Sequence, residues 1–239
     1  MIRLGITGTD TGVGKTLIAT ALIAVARSRG LRVAAMKPVE TGVEPGHETD
    51  AERLIAAAGG VPTDVCSYHF AEPLAPMVAA DRAGTPVDID VLDAALERLG
   101  HEKDVVVVEG AGGLLVPITP RVTYADLFRR WRLDLVIVAA NRLGALNHVS
   151  LTVRAAQRAG LRPLGIVLNE SSDVGADLAQ QTNAAALREL LPDVPLFRWP
   201  WVRNTGDREL ADVAERSGLA SVLREAATPT LIAHLDREI

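Results

Sequence analysis

Residues 8–16 read G-T-D-T-G-V-G-K-T and stand between an apolar run, Ile2 to Ile6, and a helical pattern that begins near Lys15. Strand, glycine-rich turn and helix N-terminus, in that order, make a cradle for a polyphosphate. The N–H groups of the turn point inward and the helix dipole favours anions. Lys15 is placed to reach the β- and γ-phosphates, and the Thr16 hydroxyl to ligate Mg²⁺. The spacing is irregular: five residues separate Gly8 from Gly14, so the pattern fits only with Thr9 where the first glycine usually stands. Beyond the turn, Leu17, Ala21 and Val25, with Ile18 and Leu22, form an apolar helical stripe that Gly30 ends.

The rest of the chain bounds the fold. Its 239 residues are 48% hydrophobic but only 3% aromatic, so the core is built from Ala, Val, Leu and Ile, as in parallel α/β sheets. A net charge of −5 argues against a nucleic-acid or anionic-membrane surface. Cys66 is the sole cysteine, which excludes an internal disulfide and suits a reducing, cytoplasmic setting. No apolar run reaches membrane-spanning length, and the immediate entry into a strand leaves no room for a signal peptide.

Further strands are expected at Val33 to Met36, Val105 to Val108, Leu135 to Ala139, Leu164 to Leu168 and Pro195 to Phe197. Helical patterns cover Lys15 to Arg29, Asp50 to Ala58, Val91 to Leu99, Asn147 to Ala159 and Ala176 to Leu190. This alternation predicts a doubly wound, mostly parallel sheet with helices on both faces, of P-loop NTPase type, in one domain over residues 1–239. Thr41 to His47 reads as a polar loop and Phe70 to Pro76 as a Pro-rich stretch. In such sheets ligands bind outside the carboxyl ends of the strands. The phosphate loop, Lys37 with Pro38, Glu109 to Gly113, Asn141 and Asn169 all follow strands and are expected to share that edge.

Glu109 ends a buried strand, where an acid is costly unless paired or metal-bound, and beside a phosphate loop it is a natural Mg²⁺ ligand. Lys37 is held extended by Pro38 and could steady a developing phosphoryl anion, or be ordinary solvated surface. Asp50, after Thr49, is either a metal ligand or a first-turn acid. Gly110, Gly112 and Gly113 allow close approach of an anion, or merely a tight connection to Leu114. The five histidines show no paired metal spacing. Trp199 and Trp201, flanking Pro200, are either packing residues or the wall of a purine pocket.

Taken together, the motifs resemble those of the dethiobiotin synthetases, ATP-dependent ligases of biotin synthesis. The resemblance is carried by G-T-D-T-G-V-G-K-T, K-P-V-E-T-G (37–42), F-A-E-P-L-A-P (70–76), V-E-G-A-G-G (108–113), L-G-A-L-N-H (143–148) and P-W (200–201). It spans residues 1 to about 205 in the expected order; residues 206–239 read as helical and carry no signature. It implies a homodimer that converts 7,8-diaminopelargonate, CO₂ and MgATP to a cyclic urea through a carbamate and a carbamic–phosphoric mixed anhydride. By position, Lys37 and Lys15 are the catalytic cations, and Thr16, Asp50 and Glu109 hold Mg²⁺. ATP falls to Gly12, Val13, Gly14, Lys15, Thr16, Leu17, Asp50, Glu109, Gly110, Ala111 and Gly112. Asn169, Glu170, Pro200, Trp201 and Val202 serve its adenine end. Thr11, Lys37, Thr41, Gly113 and Asn147 take the substrate, Asn147 across the dimer interface.

Two positions depart from that pattern: Met77 stands where the family commonly has His, and Gly12 where some members place an acid. Partitioning and Min-type ATPases share a related loop but carry a signature Lys near its start, where this chain has Asp10. The rival reading is therefore a nucleotide-dependent switch without ligase chemistry.

Overall fold

The computed structural model describes residues 1–60, 65–170, 177–203 and 206–228. In chain order the first half comprises β1 (Ile2–Gly8), α1 (Lys15–Ser28), β2 (Val33–Met36), β3 (Val39–Thr41), α2 (Asp50–Ala58), β4 (Tyr68–Phe70), α3 (Pro76–Arg82) and α4 (Ile89–Gly100). There follow β5 (Val105–Gly113), β6 (Pro117–Thr119), β7 (Val122–Thr123), α5 (Tyr124–Arg130), β8 (Asp134–Ala140) and α6 (Ala145–Arg158). The chain continues with β9 (Pro163–Asn169), α7 (Leu178–Leu190), β10 (Leu196–Trp199), α8 (Asp207–Arg216) and α9 (Ser221–Ala227).

Alternate residues of a strand point to opposite faces, so continuous apolar runs need cover on both. The six-stranded central sheet has that cover, in the order β10-β9-β8-β1-β5-β2 with every pair parallel. Val105 and Val107 pack with Leu4, Val136 and Val138 into a layer formed by α1, α2, α8 and α9. Val106 and Val108 face the opposite layer, with α3, α4 and α5; Ile137, Ala139, Ile166 and Leu168 pack there against α6 and α7. The doubly wound parallel sheet expected from the sequence is thus the observed fold.

α1 lies between α2 and α8 on one face of the sheet, so its buried surface runs well beyond one stripe and includes Ala19, Ile23 and Ala26. The segment after residue 205 supplies that flank. Arg29 pairs with Glu215 at 2.7 Å, fastening α1 to the end of α8. Residues 229–239, and Ala176 at the expected start of α7, lie outside the described residues.

Three differences from the sequence reading bear on the site. β5 does not stop at Val108 but continues to Gly113, so Glu109 lies within a strand, in register with Ile6. Glycine is disfavoured in strands, yet here the Gly110–Gly113 backbone keeps pairing with β1, through a register shift that sets Gly8 against Gly113. Second, α3 and α5 occupy segments not read as helical. Both are seven residues, too short for periodicity to show. Third, part of the polar and Pro-rich stretches forms a parallel ribbon, β3 with β4, in which Thr41 pairs with Phe70.

Candidate active site

The strand order brings the carboxyl ends of β1, β2, β5, β8 and β9 to one edge, and the segments expected to meet there do so. At the phosphate loop, Gly14 is the N-cap of α1 with φ 99°, a left-handed conformation. A Cβ there would lie 2.2 Å from Asn169 Nδ2. That amide donates to the Val13 carbonyl at 3.0 Å, tying the end of β9 to the loop. α1 has no side-chain cap and no acid in its first turn, which leaves its N–H groups available to an anion. The Lys15 ammonium donates to the Asp10 carbonyl at 3.1 Å, the Thr11 N–H donates to the Asp10 carboxylate at 2.7 Å, and Arg142 pairs with that carboxylate at 3.3 Å. Asp10 therefore organises the loop from within.

Beside the loop sits a buried charge cluster. Lys37, at the end of β2, is only 3% exposed; its ammonium donates to Glu109 Oε1 at 2.6 Å and to Asp50 Oδ2 at 2.8 Å. Thr16 Oγ1 donates to the same Glu109 oxygen at 3.0 Å. The other oxygen, Oε2, is buried and has no hydrogen-bond partner in the described structure. Burial lowers the pKa of Lys37, but the Glu109 and Asp50 carboxylates outweigh it and hold the ammonium above its ordinary value. Burial raises Glu109 more than Lys37 lowers it, so this carboxyl sits above the usual range. Asp50, less buried, is held below it despite desolvation, by the Lys37 charge and hydrogen bond. Lys15 is lowered by burial and by the neighbouring Lys37.

Asp50 is positioned by two caps. Thr49 and Glu52 form a capping box at the start of α2. The buried Glu40 carboxylate of β3 accepts the Asp50 N–H at 2.6 Å and the Ala51 N–H at 3.2 Å. All of this surrounds a cleft of about 500 Å³ lined by Thr11, Gly12, Gly14–Leu17, Lys37, Thr41, Asp50, Glu109, Ala111 and Gly112. Its donor set for a cation is all oxygen (Thr16, Asp50, Glu109), and the unpartnered Glu109 Oε2 gives it a free lone pair. That set suits Mg²⁺, a hard ion that prefers oxygen and takes few protein carboxylates.

The residues expected at the adenine end, Asn169, Glu170, Pro200, Trp201 and Val202, are not among those that line this cleft. Among the described residues the buried Asn169 Oδ1 atom has no hydrogen-bond partner, and the Glu170 N–H donates to the Trp199 carbonyl at 2.9 Å. The two tryptophans part company: Trp199 is fully buried in the α1 layer, whereas Trp201 is exposed, with Arg203 5.8 Å above its ring. Asn147 is exposed on the first turn of α6, outside the cleft of its own chain.

Residues 3–199 match the family described as AAA domain. The chain is 45% identical to the ATP-dependent dethiobiotin synthetase BioD of Anaeromyxobacter sp. (strain Fw109-5), over 87% of this chain and 94% of that one. It is 38% identical to the protein of the same description from Aquifex aeolicus, over 95% of this chain and 100% of the relative. The chain belongs to the ATP-dependent dethiobiotin synthetases. Solved structures like it include a ParA family ATPase from Chlorobium tepidum, at TM-score 0.52 and 13% identity, covering 95% of this chain and 99% of that one. Another is the septum site-determining protein MinD of Pyrococcus horikoshii, at TM-score 0.51 and 17% identity, covering 92% and 98%. At that identity these two share the fold, and they do not favour the switch reading over membership of the synthetases.

Several cleft residues escaped the sequence reading of this synthetase. Glu40 lies in the quoted K-P-V-E-T-G segment, but its capping of α2 depends on a contact across ten residues that no local pattern announces. Arg53 of α2, Pro73 and Leu74 in the segment between β4 and α3, and Val116 in the turn after β5 also line the cleft. A buried amide network was also missed. Asn183 of α7 donates to Asn141 Oδ1 at 2.9 Å, and Asn141 donates to Glu170 Oε1 at 2.8 Å, bracing the end of β9.

Proposed function

We propose that the chain carboxylates one amine of 7,8-diaminopelargonate with CO₂, phosphorylates the resulting carbamate with ATP and closes the ring to dethiobiotin, releasing ADP and phosphate. The observation that carries this reading is Lys37, an ammonium 3% exposed at a strand end beside the phosphate loop. A loop that only holds a nucleotide already has its cation in Lys15. A second buried cation in the same cleft supplies positive charge for a second anion, the carbamate, and for the phosphoryl group it attacks.

The chemistry asks the protein for position and charge more than for covalent work. The amine adds to CO₂ and loses a proton, giving a carbamate next to Lys37. A carbamate oxygen attacks the γ-phosphorus and ADP leaves, with Lys15 and Lys37 neutralising the spreading charge. The second amine then attacks the carbamoyl carbon, loses its proton and expels phosphate. Thr11 and Thr41 offer hydroxyls to the diamine or carbamate, and the Gly113 backbone lets it approach closely. Thr16, Asp50 and Glu109 would hold Mg²⁺, which when bound neutralises the β- and γ-phosphates. Gly12 to Leu17, with Glu109 to Gly112, wrap the phosphates. Asn169, Glu170 and the Pro200–Val202 backbone read the adenine edge.

The working unit in this proposal is a cytoplasmic homodimer, in which Asn147 of one copy receives the substrate carboxylate bound to the other. Its exposure outside its own cleft supports that role, as does the 86% exposure of Leu143 beside it. Partners are small molecules and a second copy, with no nucleic acid or membrane. The test is phosphate release with MgATP, bicarbonate and diaminopelargonate. The ligase reading requires all three, with the cyclic urea visible by mass spectrometry; release that ignores the diamine and responds to DNA or a protein partner refutes it.

A further inference from the structure

A second donor cluster lies behind the charge cluster, on the β3–β4 ribbon. Glu40 and His69 are directly paired in register across the two strands, so their side chains leave the same face. Cys66 precedes β4 by two residues, and its thiol meets the Tyr68 carbonyl at 3.2 Å. One carboxylate oxygen, the thiol sulfur and one imidazole nitrogen of these residues all lie within 4.8 Å of one another. A tetrahedral ion with bonds of about 2.0–2.3 Å separates its ligand atoms by roughly 3.5 Å, so small rotations of the side chains would close the set.

We propose that Glu40, Cys66 and His69 form a binding site for a borderline-soft divalent cation of the Zn²⁺ or Co²⁺ kind, separate from the oxygen-only Mg²⁺ set. One sulfur, one nitrogen and one oxygen donor match such an ion and mismatch Mg²⁺. A thiolate and a carboxylate balance its two charges, with the imidazole neutral. Three protein ligands leave a fourth position for water, and the exposure of His69 provides the way in from solvent.

The site is wired to the cleft at two points. Glu40 already holds the Asp50 and Ala51 N–H groups, and the Lys37 N–H donates to the Val65 carbonyl at 2.7 Å, one residue before Cys66. An ion drawing on Glu40 therefore acts on the start of α2, and through it on Asp50. Occupancy is a means of tuning the neighbouring site without entering it.

The test uses the full chain, stripped with a chelator and titrated with Co²⁺ in excess Mg²⁺, with no nucleotide or substrate, so its outcome is independent of the ligase reading. The expected result is one Co²⁺ per chain with a near-ultraviolet thiolate-to-cobalt charge-transfer band. Cys66→Ser should abolish the band, and His69→Ala should weaken binding at least about tenfold. Circular dichroism of both variants should match the parent, since Ser is isosteric and His69 is exposed. The proposal fails if no such band forms, or if His69→Ala leaves its affinity unchanged, as a lone surface thiol would.

Discussion

Replacing Lys37 by Ala removes the cation that joins Glu109 and Asp50, and its consequences separate catalysis from folding. Losing one preorganised charge donor at a developing anion costs about 10²–10³ in kcat. Lys37 is assigned to both the carbamate and the phosphoryl group, so a loss of at least ~10³ in dethiobiotin formation is expected. Breaking a buried ion pair costs about 3–5 kcal/mol because the partner is left uncompensated. Here Glu109 is wholly buried, but the Asp50 side chain is 39% exposed, so solvent screens its share and the lower end applies. For a chain of this size that is a fall of roughly 6–12 °C in Tm.

The deficit carries a pH signature. Glu109 already titrates above its ordinary 4.5, because burial outweighs Lys37. An acid whose folded pKa exceeds its unfolded value gives full stability below the unfolded pKa and loses it as pH climbs through the folded one. Without Lys37 the folded value rises further, so Glu109's share of the variant's deficit grows as pH climbs above its ordinary 4.5, on top of the Lys37–Asp50 share that is already present there. Urea unfolding followed across that rise in pH reads the growth of the deficit, and mass spectrometry reads the product. ATP affinity should stay within about tenfold, since Lys15 and the loop remain. Product formed within tenfold of the parent rate, by a folded variant, refutes the role given to Lys37.

Three further outcomes follow from the geometry. Gly14→Ala, at φ 99° and with Asn169 Nδ2 2.2 Å from the new methyl, should lose ATP binding by about a hundredfold or more in calorimetry; near-normal affinity would show that the loop tolerates a Cβ. Asn183→Leu strips the donor from Asn141 Oδ1 and from the Arg142 carbonyl, and should cost about 1–3 kcal/mol, read as a lowered Tm with kcat little changed. On the alkaline side, Lys37 contributes stability that is complete below its ordinary 10.5 and is lost as pH rises through its higher folded value. Lys37→Ala should therefore lack this alkaline loss in denaturant titrations.

The sheet was legible in the sequence because strands covered on both faces have no alternative to continuous apolar runs; V-V-V-V and L-V-I-V-A-A admit little else. Strand-end placement then made Lys37 and Glu109 visible as candidates, since the carboxyl edge of such a sheet is where ligands bind, whereas Asp50, at a helix start, read equally as a first-turn acid until the family resemblance put it in the metal set. What stayed hidden was set by contacts distant in sequence. Glycines mask the continuation of β5, because backbone pairing with Gly8, rather than side-chain propensity, extends it. Glu40 reads as one more acid in a loop until β3 carries it under the start of α2. Asn141 and Asn183 are ordinary polar residues in separate segments, and only packing of α7 on the sheet makes them a pair.

In the proposed reaction a carbamate oxygen becomes part of the phosphate. Run with ¹⁸O-labelled bicarbonate in ordinary water, together with MgATP and diaminopelargonate, the reaction should yield phosphate carrying one ¹⁸O for each dethiobiotin formed. Dethiobiotin accompanied by unlabelled phosphate would contradict it.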